Sequence, residues 1–107
     1  MTNTYRESVN LTIKTRNVSV GTTAVLINDF GFKFVKGIQL YAPGSSDANP
    51  NTETIWLGNS GVTADQAIET GGFPLVPGSS LFLPSEYIYG LYVISATGSQ
   101  ILTWVGV

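Results

Sequence analysis

Residues 71–84 read GGFPLVPGSSLFLP, a stretch in which three prolines and three glycines stand among large apolar side chains. Pro74 and Pro77 fix φ and remove backbone donors, so the segment cannot pair as a central strand. Gly78 follows Pro77 and suits the position of a type II turn at which φ is positive. The stretch therefore predicts a rigid corner between two strands.

The apolar residues of this corner indicate what it packs against. Phe73 and Leu75 precede the turn, and their side chains are expected to pack at one end of a sandwich and cover its core. Leu81 and Leu83 follow it and resume the period of two that is typical of a strand with one buried face. We interpret the corner as a structural feature and do not expect it to be a ligand site.

Two more strands follow, GLYVISA at 90–96 and QILTWVGV at 100–107. Gly98 and Ser99 between them are typical of a tight hairpin. Both faces of each strand are apolar, and a small antiparallel protein has little left to cover the second face. We therefore predict that a neighbouring subunit covers it. The candidate interface residues are Tyr92, Ile94, Leu102 and Trp104.

The N-terminal part also shows strand periodicity. VNLTIKTR at 9–16 predicts a strand that buries Val9, Leu11 and Ile13 and ends at Asn17. Further strands are predicted at 18–27, 32–42 and 53–58, the second of them with a bulge at Lys36-Gly37.

Two connections of the central part differ in character. PGSSDANPNT at 43–52 is a polar loop with no driving force to pack. Thr63 and Gln66 match a capping box, which predicts a single helical turn.

The predicted elements of the whole chain amount to about seven or eight short strands and little helix. This pattern predicts an all-β fold, an antiparallel β-sandwich or jelly roll.

The composition fits one domain of 107 residues, with residues 1–8 as a possible N-terminal docking arm. Only 11% of the residues are charged, against about 25% in a typical soluble domain, while 43% are hydrophobic. A chain this poor in charge and rich in apolar residues is expected to bury part of its surface against partners. We predict an oligomer or a component of a larger assembly.

The residue types that are missing exclude several function classes. The chain has no cysteine and no histidine, which removes disulfides, thiolate nucleophiles, Ser-His-Asp triads and the commonest transition-metal ligands. The N-terminus lacks the apolar core of a secretory signal, and no run approaches the length of a membrane span. No catalytic, metal-binding or cofactor-binding residue is predicted, and we expect no enzyme activity, nucleic-acid partner or membrane partner.

Charge is distributed unevenly along the chain. All five basic residues lie within the first 36 positions, where the net charge is +3, and the remainder carries −5. One interpretation is ordinary scatter. The other is a basic face that docks on an acidic partner and an acidic face turned away from it. The docking candidates are Arg6, Lys14 and Arg16.

Three weaker patterns remain open. Asp65 and Glu69 are a carboxylate pair four residues apart, for which a solvated acidic turn is the simpler interpretation. SSDANPNTE at 45–53 has alternating oxygen ligands but lacks the central glycine of a calcium loop. Five aromatic residues have three alternative interpretations: a sugar-stacking platform, core packing or subunit contact, with core or interface favoured for Trp104. They are Trp56, Tyr87, Tyr89, Tyr92 and Trp104.

Residues 36–107 also contain four motifs in succession: KGIQLYAPG, IWLGNSGVT, GGFPLVPGSS and the closing LYVISATGSQILTWVGV. In order and spacing this resembles small structural proteins of tailed-bacteriophage virions, whereas ADQAIET at 64–70 departs from the pattern. The resemblance implies a non-enzymatic β-sandwich of the phage particle, often trimeric, without catalytic residues.

From the resemblance we expect a capsid decoration (cement) protein that forms a homotrimer on the capsid exterior, clamps capsomers and contacts the major capsid protein. Assembly in the bacterial cytoplasm agrees with the missing cysteines. The alternative is a tail, fibre or adsorption module that binds host glycans through Trp56 and the tyrosines. A carbohydrate-active enzyme that uses Asp65 and Glu69 is a third alternative.

Overall fold

The computed structural model describes residues 12–28, 32–84 and 89–107. Eight strands and no helix are assigned within these ranges. Their bounds are β1 (Lys14–Val20), β2 (Val25–Leu26), β3 (Gly37–Tyr41), β4 (Ile55–Gly58), β5 (Phe73–Leu75), β6 (Ser80–Pro84), β7 (Tyr92–Ser95) and β8 (Gln100–Gly106).

The strands form two four-stranded antiparallel sheets. Sheet 1 has the order β1-β8-β3-β6 and sheet 2 the order β2-β7-β4-β5. The first strand pairs with the last, the second with the seventh, the third with the sixth and the fourth with the fifth. This nested pairing is that of one long hairpin wrapped into two sheets, which is the jelly-roll topology. The predicted antiparallel sandwich is confirmed.

The corner at 71–84 joins the two sheets. β5 is an edge strand of sheet 2 and β6 an edge strand of sheet 1, as the prolines require. Between them the Ser79 N–H donates to the Val76 carbonyl at 3.0 Å, and Gly78 has a φ of 90°. With Pro77 before Gly78, this is the predicted type II turn. Leu75 is buried in the core, whereas Phe73 is 56% exposed and plugs the end only partly.

The core lies between the sheets. Its centre is Trp104, which meets the rings of Phe34 and Phe32 edge to face at centroid distances of 5.3 and 6.2 Å. The other buried hydrophobic residues that pack with them are Val20, Ile27, Ile38, Leu40, Ala42, Ile55, Leu57, Leu75, Val93 and Leu102.

The first strand differs from its prediction in position and phase. β1 runs through Asn17 instead of ending there, and Ile13 is 67% exposed. The inward face carries Lys14, Arg16 and Val18, so the predicted buried face is wrong where the structure describes it. The long aliphatic stems of Lys14 and Arg16 let these residues occupy inward positions at the sheet edge. Val9 and Leu11 lie outside the described residues.

The predicted hairpin at Gly98-Ser99 is also wrong. β7 belongs to sheet 2 and β8 to sheet 1, so residues 96–99 cross between the sheets. Ser99 adopts a φ of 64° in this crossing. A tight hairpin needs a residue with positive φ, and Ser99 adopts one in the crossing, so the Gly-Ser dipeptide alone does not distinguish the two geometries.

The predicted polar loop at 43–52 has most of its residues exposed, but contrary to expectation it is fastened to the start of β8 by hydrogen bonds. The Asn51 side chain donates to the Ile101 carbonyl and accepts from the Ile101 N–H, both at 2.8 Å. Gln100 Oε1 accepts from the N–H groups of Thr52 and Glu53 at 2.9 and 3.0 Å. Two side-chain amides therefore tie the loop to the start of β8, where they replace strand pairing.

The predicted helical turn after β4 does not form, and one predicted strand is shorter than expected. The capping box at Thr63 and Gln66 forms no helix; Thr63 instead bridges to Gly71, and Asp65 accepts from the Ala67 N–H at 3.0 Å. The predicted strand at 32–42 is shorter, because the chain bends at 35–36 and β3 begins at Gly37.

Candidate functional site

The four predicted interface residues lie on different faces. Leu102 and Trp104 are 0% and 1% exposed and point into the core of the single chain. For these two the prediction that a neighbouring subunit covers the side chain is wrong, because the opposite sheet already does. Tyr92 and Ile94 alternate with buried Val93 and therefore point outward from sheet 2.

Tyr92 and Ile94 belong to a contiguous apolar surface. Tyr92 pairs with Leu26 on one side, and Ile94 pairs with Trp56, which in turn pairs with Pro74. We call these five half-buried residues the apolar face of sheet 2. The outer face of an antiparallel sandwich is normally polar, so an outward row of apolar and aromatic residues is unusual.

The aromatic candidates for sugar stacking are only partly brought together. Trp56 and Tyr92 are diagonal neighbours on the apolar face of sheet 2, because Ile94 is the direct partner of Trp56. Tyr89 is exposed in the turn before β7, Trp104 is in the core, and Tyr87 lies outside the described residues.

Two of the three predicted docking residues lie at the start of β1. The Lys14 Nζ and the Arg16 guanidinium carbon are 5.7 and 5.6 Å from the centre of the Phe32 ring. These are cation–π distances, and they place both half-buried side chains against the aromatic core. Arg6 and the predicted docking arm lie outside the described residues.

The side chains on the outer face of sheet 1 are mostly polar, and none of them is charged. Its outward side chains follow from the strand register. They are Thr15, Asn17, Ser19, Gln39, Tyr41, Ser80, Phe82, Ile101, Thr103 and Val105. None of these ten side chains carries a charge.

A cleft of about 340 Å³ lies on this face, between β1, β8, β3 and the loop after β3. Asn17, Thr103 and Tyr41 line it from the strands, and Asp47 and Asn49 line it from the loop. Thr103 Oγ1 donates to Asn17 Oδ1 at 2.6 Å. The sequence could not predict this site, since its parts come from three strands and a loop that looked unstructured.

Asp47 is held in place at the cleft by two hydrogen bonds. Its Oδ2 accepts a short hydrogen bond from the Tyr41 hydroxyl and a second bond from the Gly44 N–H at 2.8 Å. The bond from Tyr41 and then the bond from Gly44 lower the pKa of Asp47, because both stabilise the carboxylate. The same bond raises the pKa of Tyr41, because it stabilises the neutral phenol.

Of the predicted carboxylate pair, Asp65 has structural partners, whereas Glu69 is exposed. Asp65 accepts from Thr63 Oγ1 at 2.7 Å and from the Ala67 N–H, and these bonds lower its pKa, with the Thr63 bond the larger cause. A general acid needs the opposite shift. In the calcium-like segment, the Asn51 amide is occupied by Ile101. Across the described ranges no cluster of three or more acidic residues could hold a metal ion.

An apolar groove of about 350 Å³ opens between the sheets at the edge formed by β5 and β6. Leu57, Phe73, Leu81, Leu83 and Leu91 line it. It lies at the corner that was predicted to be purely structural, and it explains why Phe73 is exposed.

The chain matches no known protein family, no curated protein and no solved structure. In the part of the chain that the structure describes, no helix is long and apolar enough to cross a membrane.

Proposed function

We propose that this chain is a non-enzymatic structural protein of a phage virion, a decoration protein that oligomerises on the capsid exterior and clamps neighbouring capsomers. The observation that carries the proposal is the apolar face of sheet 2. Trp56, Tyr92 and Ile94 point outward there without a charged neighbour in the register. Such a face is stabilised when a second protein surface covers it, at about 25 cal/mol per Å² of apolar area buried.

The rest of the surface agrees with an adhesive role. The outer face of sheet 1 carries ten uncharged side chains, most of them with hydroxyl or amide groups, so this face can stay in contact with solvent while the apolar face of sheet 2 is covered. In this proposal the apolar face of sheet 2 forms the contact between subunits of a homotrimer. The N-terminal segment that contains Arg6 contacts the major capsid protein, and assembly takes place in the bacterial cytoplasm.

The copy number of the protein in purified particles tests the location. Quantitative mass spectrometry against the major capsid protein is expected to give hundreds of copies per particle. A handful of copies would place the protein in the tail, neck or fibre and would contradict decoration.

Deletion of residues 1–8 tests the docking arm. We expect the shortened chain to fold and oligomerise but to lose binding to undecorated capsids. Arg6→Gln is the matched point variant, because Lys14 and Arg16 also pack on Phe32 and their replacement would disturb the core. Undiminished binding of the shortened chain would overturn the docking role.

The second candidate function is an adsorption module of the tail or fibre that binds host glycans through Trp56. The diagonal placement of Trp56 and Tyr92 on one face favours it. Trp56→Ala is then expected to abolish virion adsorption and leave capsid stability unchanged. The decoration proposal expects the reverse, that the same variant loosens capsids while adsorption is intact.

A further inference from the structure

The cleft on sheet 1 has the features of a binding site for a small polar ligand. Apolar surface from Tyr41, Pro43 and Ile101 is combined with polar groups from Asn17, Asp47 and Asn49. Ligand pockets in proteins typically join a mainly apolar lining to a few placed polar groups in a volume of about 300–1,000 Å³. The cleft of about 340 Å³ lies at the lower end, enough for one or two small rings.

The polar groups that face the cleft still have free hydrogen-bonding capacity. Asn17 uses its Oδ1 to accept from Thr103, so its Nδ2 remains as a donor. Asp47 uses Oδ2 twice, and its Oδ1 accepts from no described residue. Within the described ranges the exposed amide of Asn49 makes no hydrogen bond and can both donate and accept. These free donors and acceptors could form hydrogen bonds with neighbouring hydroxyl groups of a ligand.

Hydrogen bonds hold two points of the loop that borders the cleft. Tyr41 and Gly44 hold the Asp47 carboxylate, and the Asn51 amide fastens the end of the loop to Ile101 through two bonds of 2.8 Å. A loop that is already ordered loses little entropy on binding, so weak polar contacts suffice for measurable affinity.

Charge and location restrict the ligand class. Asp47 is charged and none of the described residues that line the cleft is cationic, which disfavours phosphate, nucleic acid and acidic sugars. The cleft lies on the face of three paired strands, whose backbone groups are already bonded, so an extended peptide cannot add to them as a strand.

We propose that this cleft binds a neutral saccharide unit, with Asp47 and Asn49 bonded to adjacent hydroxyl groups and the apolar surface of Tyr41 against the sugar ring. The site differs from the Trp56 face, because it is on the opposite sheet. It does not depend on the proposed place in the virion, since a decoration protein and a tail protein can both carry it.

Titration of the full-length chain with neutral methyl hexosides and with N-acetylglucosamine, followed by ¹H–¹⁵N NMR, tests the proposal. We expect saturable shifts in the millimolar range on the side-chain amides of Asn17 and Asn49. Glucuronate, matched in size but anionic, is expected to give none. Shifts on sheet 2 alone, no shift with any neutral sugar, or tighter binding of glucuronate would each overturn the proposal.

Substitutions locate the site. Asn49→Ala removes an exposed side chain without a bond to a described residue, so we expect an unchanged fold and affinity weaker by about three- to tenfold. Phe82→Ala lies on the same sheet face outside the cleft and is expected to leave the affinity unchanged. Trp56→Ala is likewise expected to have no effect. If Trp56→Ala abolished binding while Asn49→Ala did not, the sugar site would be on sheet 2 and the cleft would be eliminated.

Discussion

At the scale of single residues, Gly37 occupies a position that no other residue fits. The N–H groups of Val35, Lys36 and Gly37 converge on the Val107 carbonyl at 3.0, 2.8 and 3.2 Å, which joins the start of β3 to the end of the chain. This bend gives Gly37 a φ of 152°. A Cβ atom there would lie 2.6 Å from the Phe82 ring and nearer still to the Leu83 carbonyl oxygen.

Gly37→Ala is therefore expected to lower the free energy of unfolding by about 2–4 kcal/mol, because backbone strain and overlap with β6 add together. Urea unfolding measures the effect. Gly90→Ala is the first control: Gly90 has a φ of 79° but no atom within 4 Å, so it reports strain alone. Gly98→Ala, without either feature, is expected to change stability by less than about 0.5 kcal/mol. Equal losses in all three variants would contradict the explanation.

Trp104 combines the largest buried side chain with an unsatisfied donor. Its Nε1 has no hydrogen-bond partner among the described residues, which is costly for a buried N–H group. Trp104→Phe removes this donor and keeps an aromatic ring between Phe34 and Phe32.

We expect Trp104→Phe to cost less than about 1.5 kcal/mol in unfolding free energy, and Trp104→Ala about 3–5 kcal/mol. Thermal and urea unfolding measure both. Neither variant is expected to change the oligomeric state at concentrations where it is folded, since the ring lies inside one chain. Dissociation of folded Trp104→Phe would restore the interface role that burial argues against.

At the scale of elements, the connection between β3 and β4 acts as an ordered part of the fold. Tyr41 and Gly44 hold Asp47 at one end, and Gln100 and Asn51 form the link to β8 at the other. The free energy of unfolding of the protein should therefore depend on pH through Asp47 and Tyr41.

Because the pKa of Asp47 is lower in the folded protein than its ordinary 3.8, the contribution of Asp47 is complete above pH 3.8 and is lost as the pH falls through the folded value. The pKa of Tyr41 is raised above 10.0, so its contribution is complete below pH 10.0 and is lost as the pH rises through the folded value. Urea unfolding gives the free energy of unfolding of the wild type and of Asp47→Asn at each pH, and the difference between the two is the contribution of the Asp47 carboxylate. We expect this difference to shrink in acid; a constant difference would show that the carboxylate is not stabilised by folding.

Local chemistry explains which elements could be predicted from the sequence. The corner at 71–84 was predictable because Pro77 and Gly78 determine their own backbone angles. β1 was not, since TIKTRNVSV alternates on both faces and the pattern does not tell whether Ile13 or Lys14 points inward. Ile13 is exposed and Arg16 points inward, in phase with Val18 and the fully buried Val20 at the end of the strand.

Long-range pairing explains the rest. Nothing local distinguishes a Gly98-Ser99 hairpin from a crossing between sheets. The cleft could not be predicted either, because Asn17, Asp47 and Thr103 meet only after three strands have paired. The interface candidates differ in the sheet face on which they lie, which the sequence did not reveal because both faces are apolar. Tyr92 and Ile94 point outward, whereas Leu102 and Trp104 point inward.

At the scale of the whole molecule, the two broad faces of the sandwich differ in chemistry. The apolar face of sheet 2 is suited to contact with another protein, while the outer face of sheet 1 is mostly hydroxyl and amide groups around a cleft. A particle component with one adhesive face would expose the other, so the two proposed activities occupy opposite sides.

Ile94→Glu tests this assignment of faces. The side chain is half-buried and points outward, so a carboxylate there is expected to leave the fold intact and to weaken self-association by about 2–4 kcal/mol, because the charge would be desolvated in the interface. Val105→Glu is the matched control, an outward apolar residue in a β-strand of sheet 1, and is expected to leave the proposed oligomer unchanged. Sedimentation velocity over a range of concentrations measures both variants. Dissociation of Val105→Glu with intact Ile94→Glu would assign the interface to sheet 1, which would bury the saccharide cleft and contradict both proposals together.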